Sequence, residues 1–167
     1  RCLINKSIFV CADPLAEEET VSFVLRHISI FMREIAYAAG LIMRQVRGEG
    51  LVADKKADGS LVTEADRRIQ TLYTRVFSVL LPGSVLIAEE SFSPEKIEFA
   101  HQVLRQTRQE RFVWIVDPVE GTKEYDAGSK FYCVALVLLE YGNPIYTFIY
   151  GPEYDVDGNG SVFFESV

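Results

Sequence analysis

Residues 112–125 read FVWIVDPVEGTKEY, and this stretch restricts the fold more than any other in the chain. The apolar run from Phe112 to Val116 has the look of a short buried strand. Asp117 and Pro118 are expected to end it, because proline has no N–H to continue a ladder. Asp117 and Glu120 then put two carboxylates on one tight turn, where Gly121 lets the backbone come close to a ligand. Thr122 is placed to cap a short helix while offering its hydroxyl. Carboxylates beside a helix N-terminus suit a hard cation such as Mg²⁺, held by the acids while the helix amides and Thr122 face a phosphate oxygen. The same residues also fit an ordinary Asp-Pro-x-x-Gly turn, with acids in a first helical turn favoured by the macrodipole.

Upstream, the apolar residues Val21, Val24, Leu25, Ile28, Met32, Ile35, Ala36, Ala39, Ile42, Met43 and Val46 recur at three- and four-residue steps. That period predicts one long amphipathic helix over about residues 17–47. Gly40 within it costs about 1 kcal/mol against alanine, so close packing against a neighbour is expected there. Residues 51–62 read as a polar loop or weak hairpin. A second helix is expected from Thr63, with Ile69, Leu72, Tyr73, Val76, Phe77 and Leu80 on its apolar side, stopping at Pro82 and Gly83. Residues 85–88 read as a strand running into Glu89-Glu90. Ser93-Pro94 reads as a helix start, the helix reaching about Gln109. Residues 131–140 and 144–150 are strong strand patterns joined by a short turn, and a last strand begins at Val162. Helices first and adjacent strands afterwards predict an α+β fold, N-terminal helices packed on a mainly antiparallel sheet.

With 167 residues, 49% of them hydrophobic, the chain has room for one core. A net charge of −7 argues against a nucleic-acid polymer or a membrane surface as partner, since both call for basic patches. Small anionic substrates remain compatible if metal ions supply positive charge. Cys2, Cys11 and Cys133 are odd in number and lack C-x-x-C spacing, which fits a reducing cytoplasmic compartment and neither a disulfide framework nor a zinc site. No apolar run approaches the roughly 20 residues of a membrane helix, and a soluble protein is expected. Residues 1–16 are read as an N-terminal extension of unknown role and 17–167 as the folded domain.

Two further sites carry acids. Glu89 and Glu90 follow a strand, where a solvated loop is the plain explanation. Asp66 lies three residues after Thr63, the spacing of a capping box. With Asp117 and Glu120 they form a set, because Mg²⁺ needs several oxygen ligands from separate elements. The motifs LVTEAD (61–66), AEES (88–91) and WIVDPVEGTKEY (114–125), in this order, resemble those of the lithium-sensitive, magnesium-dependent phosphomonoesterases that include inositol monophosphatase and 3'(2'),5'-bisphosphate nucleotidase. The GTKEY form is more similar to the nucleotidase branch, which tends to carry GTKEF, than to the inositol branch with its GTTNF. The fold implied is the first half of the layered sugar-phosphatase architecture.

The resemblance implies two or three Mg²⁺ ions and a role for each matching residue. Glu89 would be a shared metal ligand, Asp117 would bridge two metals, Val119 would offer its backbone carbonyl, and Glu120 would hold the second metal. Asp66 and Thr122 would orient and deprotonate the attacking water, and the Gly121 and Thr122 amides would receive the phosphate. Glu90 and Lys56 would support the ligands from behind, although the loop alignment also allows Lys55. The family has aspartate where this chain has Glu120, and the extra methylene is expected to change denticity at an octahedral Mg²⁺. Family members also run on for roughly another hundred residues, the size of a further domain. The expected function is therefore a Mg²⁺-dependent phosphatase removing the 3'-phosphate from an adenosine 3',5'-bisphosphate-like nucleotide. Inositol phosphate hydrolysis is the same-class alternative, and a catalytically impaired binding module is the alternative of another class. Oligomeric state is left open, an exposed sheet or helix layer favouring a homodimer.

Two further patterns carry less. Residues 155–160, DVDGNG, match the first half of a calcium loop, but Glu165 falls one place early and a hairpin turn is the simpler reading. His27 and His101 lie on predicted helices outside every motif and are read as surface or packing residues.

Overall fold

A computed structural model describes residues 14–50, 52–56, 59, 61–89, 105, 107–154 and 162–166. The apolar stripe expected as one helix is folded as two, α1 (Pro14–Arg26) and α2 (Ile28–Gly48). The break is His27, at φ −113 and ψ 10. Its backbone N–H reaches Val24 O at 3.1 Å, and its Nδ1–H donates to Phe23 O at 2.8 Å. A side chain that satisfies a main-chain carbonyl competes with helix propagation. The three-and-four period carries across a one-residue break, so the pattern alone shows a single stripe. His27 is thus a junction residue, not a helical one.

The hairpin weakly signalled before the second helix is present as β1 (Ala53–Lys55) paired antiparallel with β2 (Leu61–Thr63). Helix α3 (Glu64–Leu80) follows with Thr63 as its N-cap, as the spacing predicts. A five-stranded sheet comes next, in the order β3 (Val85–Ala88), β4 (Phe112–Glu120), β5 (Cys133–Glu140), β6 (Asn143–Gly151), β7 (Val162–Ser166). Only β3 and β4 are parallel; every other neighbouring pair is antiparallel. The β5–β6 turn is a two-residue loop with Tyr141 at φ 48 and Gly142 at φ 82, the positive-φ geometry that suits a right-twisted hairpin.

Strand β4 corrects the expectation that Asp117-Pro118 ends it. The strand runs on to Glu120, with a bulge between Asp117, which pairs with Ala135, and Glu120, which pairs with Cys133. β4 spends one residue more than β5 across that interval, and Pro118 lies inside it. A bulged residue makes no ladder bond, so a missing N–H there removes nothing.

One face of the sheet packs on the helices. Met32, Ala36, Ala39 and Met43 of α2 and Ile69, Tyr73 and Phe77 of α3 join Trp114, Val116, Leu138, Phe148 and Tyr150 in one core. Phe77 stacks on Trp114 at 4.0 Å, and Trp114 Nε1 donates to Ser84 Oγ at 3.2 Å. At Gly40 α2 packs close against the end of β6 and the residue after it: a Cβ there would lie 2.8 Å from Tyr150 Oη and 3.0 Å from Pro152 Cβ. On the opposite face Ile87, Val113 and Leu139 form a smaller apolar cluster, while Ile149 and Phe164 are 43% and 58% exposed. Among the described residues no helix is long and apolar enough to cross a membrane.

The helix expected from Ser93-Pro94 falls mostly outside the described residues, although Arg105 and residues 107–109 are helical. Of the extension read over 1–16, residues 1–13 also lie outside them, as do Cys2, Cys11, Glu90, His101 and the 155–160 turn, while residues 14–16 open α1.

Candidate metal and phosphate site

The bulge in β4 turns the strand end so that its acids meet those of its parallel neighbour. Asp117 Oδ1 accepts the Val119 N–H at 3.1 Å, an Asx-type closure that fixes the carboxylate on its own turn. Gly121 follows at φ 86 and is the N-cap of a short helix, α4 (Thr122–Asp126). A Cβ at Gly121 would lie 2.9 Å from Phe131 O. The glycine is thus required by the chain's own backbone as well as by any ligand. Thr122 is not the cap expected of it. It occupies the first helical position, and its hydroxyl donates back to Val119 O at 2.8 Å.

Glu89 comes to the same place from the end of β3. Glu89 and Glu120 both lie near enough to Asp117 to share a proton with it. Burial first, then the Glu89 charge and the Glu120 carboxylate, push the Asp117 carboxyl up to about 8. The neighbouring Cys133 thiol is pushed up to about 11 by burial and by the charges of Glu120 and Asp117. Lys56 Nζ lies 3.2 Å from Glu89 Oε1 and forms an ion pair with it. Lys55, the alternative, is exposed on β1. The acids open on a cleft of about 300 Å³ lined by Leu61, Glu89, Asp117, Val119, Glu120, Gly121, Thr122, Lys123 and Glu124. Lys123 and Glu124 belong to the GTKEY form, which assigns them no place in the site; the helical turn of α4 brings them round to the cleft.

Asp66 is fully buried, and its Oδ2 accepts both the Thr63 N–H at 2.7 Å and the Thr63 hydroxyl at 2.6 Å. The capping-box reading is thereby present in full. Asp66 is not part of the cleft lining, but β2 and α4 are in contact, and its charge is felt at the Tyr125 ring of α4. Glu90 lies outside the described residues.

The donors fit a hard divalent cation in kind: three carboxylates and the Val119 carbonyl, all oxygen, with Asp117 raised first by burial and then by the charges of Glu89 and Glu120. They are not in finished coordination geometry. Among the described residues, no three carboxylate, imidazole or thiolate groups are gathered around one point. A cation would draw together side chains that repel without it.

Known proteins resemble this chain in sequence and in fold. The chain is 26% identical over 140 residues to the 3'(2'),5'-bisphosphate nucleotidase CysQ of Buchnera aphidicola, covering 83% of this chain and 49% of that one. It is 32% identical over 125 residues to the CysQ of Escherichia coli O157:H7, covering 74% and 47%. The chain thus spans about half the length of the curated relatives it matches. A solved inositol monophosphatase/NADP phosphatase complexed with Mg²⁺ and phosphate superposes with a TM-score of 0.63 at 21% identity, over 84% of this chain and 51% of that one, which shows the fold. The family model for inositol monophosphatases matches residues 24–165, from within α1 to the last strand, and by that match the chain belongs to the inositol monophosphatase family.

Proposed function

We propose that residues 17–167 carry the metal-binding domain of a magnesium-dependent phosphomonoesterase of the bisphosphate nucleotidase type. The observation that carries the reading is the one cleft that Glu89, at the end of β3, lines together with Asp117 and Glu120 of β4, where burial and like charge push the Asp117 carboxyl up to about 8. Such a group of acids is costly for a bare protein and is relieved by a divalent cation. The names of the CysQ relatives and the Mg²⁺ and phosphate of the structural neighbour support the same chemistry.

Glu89, Asp117, Glu120 and the Val119 carbonyl would hold the cations. When bound, Mg²⁺ supplies charge neutralisation at the phosphate and a water of lowered pKa. Lys56 holds Glu89 in place. The Gly121 and Thr122 amides, at the start of α4, receive a phosphate oxygen. The Thr122 hydroxyl spends its hydrogen on Val119 O, leaving its oxygen to accept from an attacking water, and Asp66, buried behind the cleft at the start of α3, would be the base for a water that reaches it. The reading includes two or three Mg²⁺ ions, inhibition by lithium, Glu90 behind Glu89, a cytoplasmic setting, no nucleic-acid polymer or membrane as partner, and a homodimer.

The test is Mg²⁺-dependent phosphate release from adenosine 3',5'-bisphosphate and from inositol 1-phosphate. Faster release from the nucleotide is expected, and Asp117→Asn abolishes it. A preference for the inositol ester would move the chain to the other branch of the family. An inert chain that still binds Mg²⁺ would make it a binding module.

A further inference from the structure

We infer that Arg47 is the positioning residue of the phosphate-receiving turn, holding α4 by its carboxyl end; the inference rests on the function proposed above. Helix α4 has five residues, too few to persist on its own hydrogen bonds. Its amino end is set by the Gly121 turn. Its other end is gripped by a side chain from a distant element. Arg47 Nη2 donates both to Tyr125 O at 2.9 Å and to Ser129 O at 3.0 Å, bridging the last turn of α4 and the segment that leads into β5. Arg47 Nη1 donates to Glu153 Oε2 at 2.7 Å, an oxygen that also accepts the Tyr132 hydroxyl at 2.7 Å. The guanidinium lies against two rings, its carbon 4.5 Å from the Tyr125 centroid and 4.8 Å from that of Tyr132.

The grip is anchored on the helix layer. Arg47 belongs to the last turn of α2, and the Tyr125 hydroxyl donates back to Met43 O on the same helix at 2.5 Å. Glu153 follows the end of β6. One side chain therefore ties α2, α4, the entry to β5 and the exit of β6 into one unit. A cation at the carboxyl end of α4 also matches the helix dipole. The geometry needs arginine: two carbonyls, a carboxylate and two ring faces match a planar fork, whereas lysine offers a point charge. The amides that would receive phosphate begin the same short helix, so slack at its far end is slack at the ligand. A misplacement of about 1 Å at a reacting group can cost on the order of 100-fold in rate.

The experiment titrates Mg²⁺ with inorganic phosphate into the full chain by calorimetry, beside amide hydrogen exchange. It compares wild type with Arg47→Met, Arg47→Lys and Glu153→Gln. Arg33→Met is the control, because its ion pair with Glu165 is made elsewhere, between α2 and β7. Both Arg47 variants are expected to weaken phosphate binding about tenfold and to speed exchange at the Tyr125, Ala127 and Ser129 amides, with β5 still protected. Glu153→Gln gives a smaller loss in the same direction, and Arg33→Met leaves phosphate binding as it is. If Arg47→Met does not fold, Arg47→Lys and Glu153→Gln decide. Wild-type phosphate affinity in those variants, or unchanged exchange in α4, overturns the inference alone. Failure of wild type to bind phosphate with Mg²⁺ removes the proposed function, and the inference with it.

Discussion

Asp117 is the residue at which stability and the proposed function pull in opposite directions. Its folded pKa, about 8, lies above the ordinary value of 3.8. The folded chain therefore keeps a proton that the unfolded chain releases, and the metal-free fold loses stability as pH rises from about 4 through about 8. Asparagine keeps the shape and cannot ionise. In metal-free buffer Asp117→Asn should therefore melt higher than wild type at pH 9, by about 2–4 °C for each kcal/mol relieved, with the gap closing at pH 4–5. Thermal unfolding across that range with a chelator checks it. A lower melting point for the variant at pH 9 would mean that the carboxylate is already compensated within the fold. Glu120 carries a second test at the same scale. Its pairing with Cys133 across the bulge sets where its longer side chain begins. Because Mg²⁺ demands near-ideal octahedral geometry, Glu120→Asp should change the apparent Mg²⁺ requirement of phosphate release by several-fold or more, on the order of 1 kcal/mol. A rise in activity would mark the glutamate as an impairment and a fall would mark it as fitted to this site.

At the scale of elements, what the sequence makes legible is period and end-signal, and what it hides is any event one residue long. The strands at 85–88, 133–140 and 143–151 and the helix capped by Thr63 are where alternation, apolar stripe and capping box place them. The break at His27 is hidden because the stripe continues in phase on both sides of it. The run of β4 past Pro118 is hidden because a bulge depends on the partner strand, which the proline rule does not consult. The candidate site divides along the same line. Glu89, Asp117 and Glu120 stand at motif positions, whereas Lys56 comes only from a loop alignment that leaves Lys55 open. The grip of Arg47 on Tyr125 and Ser129 is not legible, because a basic residue in a last helical turn is explained by the dipole alone. Gly40 shows a local exception read correctly for a tertiary reason. Gly40→Ala should gain about 1 kcal/mol of helix propensity yet lose about 1–3 kcal/mol to overpacking against Tyr150 and Pro152, for a net loss in stability. Chemical denaturation with an unchanged m-value and a lower midpoint is the expected result, and a higher midpoint would show that Tyr150 can yield.

Over the whole molecule the two faces of the sheet are treated differently. The face toward α2 and α3 buries Trp114, Leu138, Phe148 and Tyr150. On the other, Ile115, Ala135, Val137, Thr147, Ile149 and Phe164 border an open apolar hollow of about 480 Å³. Alternation along β6 accounts for this at the level of sequence, since Ile149 falls between Phe148 and Tyr150 and must point the other way. An apolar face of this kind in water drives association whenever a complementary surface is present. Adding a charge at its centre should therefore lower self-association without disturbing the buried face. Ile149→Lys places an ammonium beside Phe164, its register partner on β7, at a position already 43% exposed, so the fold can carry it. Sedimentation velocity of the 167-residue chain should show an apolar-driven dimer for wild type and a shift toward monomer for Ile149→Lys, with the same far-ultraviolet circular dichroism. Equal sedimentation of the two would place any contact between copies elsewhere on the molecule and leave this face to a different partner.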